Sequence, residues 1–410
     1  MQDGTLGVAR GAALYVGSLV GPGVLLVPSL AVQEAGPATV IAWVALLVLS
    51  LPLAITFATL GMRHPVSGGV SAYVAEGLGQ RAAAITGTIF FGGVVIGAPA
   101  VALIGGFYVA DLAGGGTPVA VTAGLIMFAT VVAVNTLGLR VSSAMQMGLS
   151  AVLVAVVVLA VATALPGNAT EGWEPFAPHG WLAVGTAASL LAWLFFGWEA
   201  MAQMAGDFRD PRRDLPRAVT IAYATIAVLY LGLAVATITV ATGASEVPLA
   251  DLLETGLGSV GRDATAVLAV ALTMGTMNVY VGGAAKLAGH LARDGSMPAW
   301  LGGGAPRTVP RRPLAVLGVA GIALLGLLAA GLSDADGLVR ATSACFVTVY
   351  VLALASACRI LEGRGRLIAA VALVLVTVVT AFSAAFLVVP ALLALVSLSA
   401  AATTARRRRR

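Results

Sequence analysis

The chain has 410 residues, of which 59% are hydrophobic and only 10% charged, and its mean hydropathy is +0.99. A soluble domain carries roughly 25% charged residues, so this composition excludes an ordinary water-soluble fold and points to many bilayer crossings. The net charge of +5 is matched by the tail Arg406 to Arg410, which reads as an anchor facing anionic lipid rather than a nucleic-acid surface.

A spanning helix needs roughly 20 apolar residues, and such runs recur along the whole chain. The first, near residues 10–31, contains GSLVGPGVLLVP at 17–28. Glycine costs about 1 kcal/mol in a helix interior and proline about 3, so Gly17, Gly21, Pro22 and Gly23 mark backbone opened at membrane depth. Asp3 precedes this run without a separate small-residue cleavage site, and no cleavable signal is expected. Spans near 38–61, 84–110, 118–137 and 143–165 follow, and the glycines of FFGGVVIGAPAVALIGG in the third read as close helix packing. The sixth span, near 181–205, carries Trp193, Phe195, Phe196, Gly197, Trp198 and Glu199 at its middle. Further spans lie near 218–242, 264–289, 313–332, 338–358, 366–382 and 384–403, making twelve.

Spans one and six run in opposite directions. Interrupted helices at matching positions of two antiparallel halves point to a transporter site. Unwound backbone there offers N–H groups to an anion and carbonyls to a cation, and an amino-acid zwitterion supplies both. Of the 18 acidic residues, only Glu199 falls away from loops and span ends. An ionisable group inside the membrane is a functional candidate, so Glu199 is assigned to proton coupling or gating. A structural carboxyl bonded to the broken backbone is the alternative, and the two roles are compatible. Lys286 is a second coupling candidate, or a side chain that snorkels to the nearby cytoplasmic end. Cys345 and Cys358 fall in one span and read as small buried hydrophobes rather than a disulfide.

With the N-terminus inside, twenty arginines fall on cytoplasmic segments and only Arg262 and Arg340 on the outer side. That asymmetry places both termini in the cytoplasm. Trp173, Trp181 and Trp300 fall at expected interfaces. The outer loops 166–180 and 243–262 are too short for a folded domain, so the chain is one membrane domain.

The loop stretches GDFRDPRRDLPRA, HLARDGSMP and HPVSGGVSAY resemble the amino acid-polyamine-organocation (APC) superfamily over essentially the whole chain. YVGSLVGPGV, FFGWEA and TMNVYVGGAAKLAG look most like its amino-acid efflux branch. The resemblance implies an all-α polytopic fold of the LeuT type, with about twelve membrane helices and helices 1 and 6 broken. It implies a first inverted repeat over 1–165, a second over 166–360, and peripheral helices with the basic tail over 361–410. Carried over by motif, Ser18, Leu19, Val20, Gly21, Pro22 and Gly23 would cradle the carboxylate and amine of a substrate. Trp193, Phe196 and Gly197 would line the pocket and outer gate, and Asn278 and Tyr280 would face the same cavity. Trp198 joins Trp193 and Phe196 in an aromatic cluster beside it. Pro22 stands where many relatives have a small hydroxyl residue, Asp207 and Asp210 stand where Glu and Asn are usual, and span 5 lacks the lysine some relatives use for proton coupling. The charges of FRDPRRDLPRA suit either a solvated turn or a cytoplasmic gate network.

The implied function is secondary transport of amino acids in a bacterial inner membrane, with export or antiport foremost and import or exchange of another substrate as the alternative. No second buried charge accompanies Glu199, which favours neutral apolar substrates such as methionine, leucine, isoleucine and valine. Proton or sodium is the expected coupling ion, and the protein acts as a monomer or homodimer. No phosphate-binding loop of the Walker type appears. An intramembrane enzyme would need several polar catalytic groups together, and a channel would need recurring filter loops. Neither pattern is present. No catalytic residue, metal or cofactor is expected.

Overall fold

The computed structural model describes residues 6–63, 70–138, 143–164, 173–199, 207–240, 245–302 and 309–408. The readings above that fall on His64, Arg140, Arg307, residues 200–206 and the other intervening stretches lie outside the described residues. Among the described residues the regular structure is helical, and nine helices are long and apolar enough to cross a membrane, joined by the shorter apolar helices Leu182–Phe195 and Ala384–Ala400.

The first pass is broken as its glycines require. Helix α1 (Val8–Leu19) stops, Gly21 is extended (φ −112°, ψ −174°), a 3-10 turn covers Pro22–Leu25, and α2 (Val27–Ala35) completes the crossing. Pro22 has no N–H and cannot continue the α-helical ladder. Helices α3 (Thr39–Arg63), α4 (Val70–Leu78), α5 (Gln80–Leu112), α6 (Thr117–Thr136) and α7 (Ser143–Ala164) follow. The sixth pass begins as α8 (Leu182–Leu191), tightens into a 3-10 turn over Ala192–Phe195, and opens at Phe196 (φ −80°, ψ 135°) and Gly197 (φ 134°). Then come α9 (Pro211–Thr239), α10 (Pro248–Arg293), α11 (Arg311–Ala329), α12 (Ala335–Ile360), α13 (Gly363–Ala381) and α14 (Val388–Arg408). The chain is an all-α polytopic membrane protein.

Three details depart from the sequence reading. The short helix α4 was not expected, and its end rests on α12, where the Ser356 hydroxyl donates to the Tyr73 carbonyl. FRDPRRDLPRA is not a solvated turn throughout, because Pro211 sits at the first helical position and starts α9 well before residue 218. Helix α10 begins at Pro248 rather than near 264, and Gly258 (φ 62°) bends it between its first segment and the long remainder.

Helix α5 is central, packed by α6, α10 and α12. The glycines of α5 permit this. A Cβ at Gly106 would lie 2.1 Å from the Ala120 carbonyl oxygen, and one at Gly97 2.8 Å from Thr342 Cγ2. Large apolar side chains such as Val228, Val260 and Val319 are exposed on the periphery, as lipid-facing residues are. On one face Arg262 joins Asp111, Asp251 and Glu254 at 2.5–2.9 Å, and Arg340 joins Glu34 and Asp336 at 2.7 and 2.6 Å. At the other face the chain entering α1 pairs with the segment after the sixth pass: Leu6 N–H donates to the Asp207 carbonyl and Arg209 N–H to the Leu6 carbonyl.

Candidate functional site

The two breaks meet. The Ser18 hydroxyl lies 3.4 Å from the Gly197 carbonyl oxygen, and a Cβ on Gly197 would lie 2.6 Å from the Ser18 carbonyl oxygen. Only a glycine permits that backbone contact, and its φ of 134° is one that side-chain-bearing residues rarely adopt. A Cβ on Gly23 would likewise lie 2.7 Å from Leu194 Cδ2. Around this contact lies a cavity of about 460 Å³, within the usual range for small-molecule sites.

The cavity wall brings together most of the residues expected from the sequence. Ser18, Leu19, Val20, Gly21, Pro22 and Gly23 line it from the first break, and Trp193, Phe196, Gly197 and Glu199 from the second. Helix α10 adds Thr276, Met277 and Tyr280, α5 adds Phe90 and Val94, and α12 adds Phe346. Phe196 stacks against Phe346 and Tyr350 with centroids 5.3 and 5.1 Å apart, which makes the wall beside the breaks aromatic.

Three expected residues are placed elsewhere. Asn278 is buried toward α6, where its carbonyl oxygen lies 3.4 Å from Asn135 Nδ2. It is two residues from Tyr280, and positions i and i+2 point to different faces of a helix. Trp198 is fully buried outside the wall, its ring 6.3 Å from that of Tyr223 on α9. Lys286 lies further along α10, half-buried and outside the wall.

Glu199 is held at the second break. Its Oε2 accepts from the Gly197 N–H at 2.9 Å and from the Tyr350 hydroxyl, which itself lies 3.1 Å from the Gly197 N. Tyr280 lines the same cavity. The carboxylate thus does what a missing helical turn would have done for the Gly197 N–H, and it does so at the edge of the cavity. Freed carbonyls are matched too. The Tyr108 hydroxyl donates to Leu25 at 2.9 Å, the Ser150 hydroxyl lies 3.4 Å from the Gly17 oxygen, and the Tyr230 hydroxyl reaches both Leu19 and Leu194.

Tyr350, Tyr230, Tyr108, Ser150 and Gln146, the last two on the cavity wall, were not singled out in the sequence. The available signal was a tyrosine hydroxyl or polar side chain in the middle of an apolar span, where it needs a partner.

A model of the family described as amino acid permease matches residues 6–405. The chain belongs to that family. Among its relatives is the uncharacterized amino acid permease YecA of Bacillus subtilis, 32% identical over 394 residues, covering 94% of this chain and 92% of the relative. The L-methionine/branched-chain amino acid exporter YjeH of Escherichia coli is 30% identical over 376 residues, covering 89% and 88%. The branched-chain amino acid permease BcaP of Bacillus subtilis is 27% identical over 236 residues, about half of each chain. This amino acid permease family member is a membrane transporter and not an enzyme.

Proposed function

We propose that the protein is a secondary transporter that exports or exchanges neutral apolar amino acids, methionine, leucine, isoleucine and valine foremost, by alternating access. The observation that carries the reading is the meeting of two broken passes at one cavity. Ends of helices leave backbone N–H groups without helical partners, and here Gly21 and Gly23 flank the start of the 3-10 turn on the cavity wall. Those groups suit a carboxylate, and the oxygen-rich surround of Ser18, Gly197 and Glu199 suits an ammonium. The walls made by Trp193, Phe196, Phe346 and Met277 suit an apolar side chain, and a thioether gains up to about 1.5 kcal/mol from each good aromatic contact. The names of YjeH and BcaP favour the same substrates.

Passes one to five and six to ten form the two inverted repeats in this reading. Both termini lie in the cytoplasm of a bacterial inner membrane, and the excess of arginine on that face supports the orientation. Glu199 links occupancy to protons, because protonation changes what its Oε2 accepts from Gly197 and Tyr350. The test is counterflow in proteoliposomes. Labelled methionine should accumulate in vesicles loaded with unlabelled methionine, leucine, isoleucine or valine, and not in vesicles loaded with lysine or glutamate. Counterflow driven by the charged amino acids instead would overturn the substrate class.

A further inference from the structure

We infer that Tyr230, which does not line the cavity, is a positioning residue that locks the two breaks to each other. Its hydroxyl lies 3.0 Å from the Leu19 carbonyl oxygen and 2.9 Å from the Leu194 carbonyl oxygen, one from each broken pass. Both carbonyls are free for local reasons. Leu19 ends α1, and the 3-10 turn that follows draws the chain away from the helical path. The donor that a continuing 3-10 turn would give Leu194 is the Gly197 N–H, which is taken by Glu199 and Tyr350 instead. A phenol has one proton, so the two carbonyls share one donor and are satisfied together only while they stay side by side.

The ring is fixed as firmly as the hydroxyl. Tyr230 is fully buried, with Trp43 of α3 at 5.4 Å and 64° and Phe195 of the second break at 5.3 Å and 79°. Four passes therefore converge on one side chain: the first through Leu19, the second through Trp43, the sixth through Leu194 and Phe195, and the seventh through Tyr230 itself. Displacing one break without the other strands a buried carbonyl, and a buried unpaired acceptor is costly. The shared donor thus ties the position of one break to that of the other. This role rests on the reading that the breaks hold the ligand.

The test is hydrogen–deuterium exchange of the purified protein, read at peptides covering 19–26 and 192–199. Tyr230→Phe removes the shared donor and keeps the ring. Tyr108→Phe is the matched comparison, because the Tyr108 hydroxyl is equally buried and, beside the backbone of Leu249 and Ala250, reaches the first break at Leu25 but not the second. Tyr230→Phe should speed exchange about tenfold in both peptides, and Tyr108→Phe in the first alone. Methionine affinity should fall about tenfold in Tyr230→Phe while its melting temperature stays with that of Tyr108→Phe. Faster exchange in only one peptide, in neither, or uniformly along the chain overturns the inference. If Tyr230→Phe does not fold, the parent decides: the two peptides should open with the same dependence on denaturant, and different dependences overturn it. A parent that binds no methionine rejects the proposed function while the exchange data still judge Tyr230.

Discussion

Gly197→Ala is the sharpest perturbation of the site. The added Cβ would sit 2.6 Å from the Ser18 carbonyl oxygen and 3.1 Å from its carbon, where ordinary contact begins at 3.4 Å. The neighbour is backbone and cannot rotate aside. Relief therefore needs a shift approaching 1 Å of one break against the other, and overpacking of this kind costs about 1–3 kcal/mol. The φ of 134° adds backbone strain of about 1–3 kcal/mol for a residue with a side chain. A combined cost of about 3 kcal/mol, taken up by moving the breaks apart, corresponds to roughly a hundredfold loss of affinity. Gly326→Ala is the control. It lies in α11 outside the cavity wall and has nothing within 4 Å of its added Cβ. Calorimetric titration of methionine into purified protein should show the hundredfold loss for Gly197→Ala and a change within about threefold for Gly326→Ala. Equal affinities in Gly197→Ala and the parent, or equal losses in the two variants, would refute the argument that backbone contact between the breaks builds the site.

Phe196→Ala should weaken methionine and leucine more than alanine, by about 1 kcal/mol or more for the longer side chains; equal losses for all three would remove Phe196 from the side-chain pocket. Glu199→Gln keeps the shape and an acceptor for Gly197 and Tyr350 but cannot ionise, so transport by the variant should lose its dependence on pH. A rate that still follows pH as the parent's does would move proton coupling to another group, with Lys286 next to test. Ser245→Cys should react with an impermeant maleimide from outside intact cells and Ser296→Cys should not; the reverse labelling would invert the proposed orientation.

The passes and both breaks were legible because they rest on local signals. Apolar run length sets a crossing, and Gly21, Pro22, Gly23 and Gly197 disfavour continuous helix wherever they occur. The pairing of Ser18 with Gly197 was not legible, since it joins residues 179 positions apart and depends on how the passes are stacked. Gly21 and Gly197 looked alike in the sequence, yet one faces open space and the other a carbonyl. Tyr108, Tyr230 and Tyr350 passed as ordinary apolar-span residues because their importance lies in carbonyl and N–H groups freed elsewhere in the chain. Asn278 was placed beside Tyr280 at the cavity by motif resemblance, and helical geometry separates them by about 200°.

Two of the described fastenings, at opposite faces, rest on different forces. Arg340 holds α2 to the start of α12 through Glu34 and Asp336, whereas Leu6 is tied to Asp207 and Arg209 by main-chain bonds. Dissolved salt screens charges over about 8 Å at physiological strength and leaves a neutral amide bond nearly untouched. Raised salt should therefore loosen the Arg340 cluster more than the main-chain pairing of Leu6 with Asp207 and Arg209.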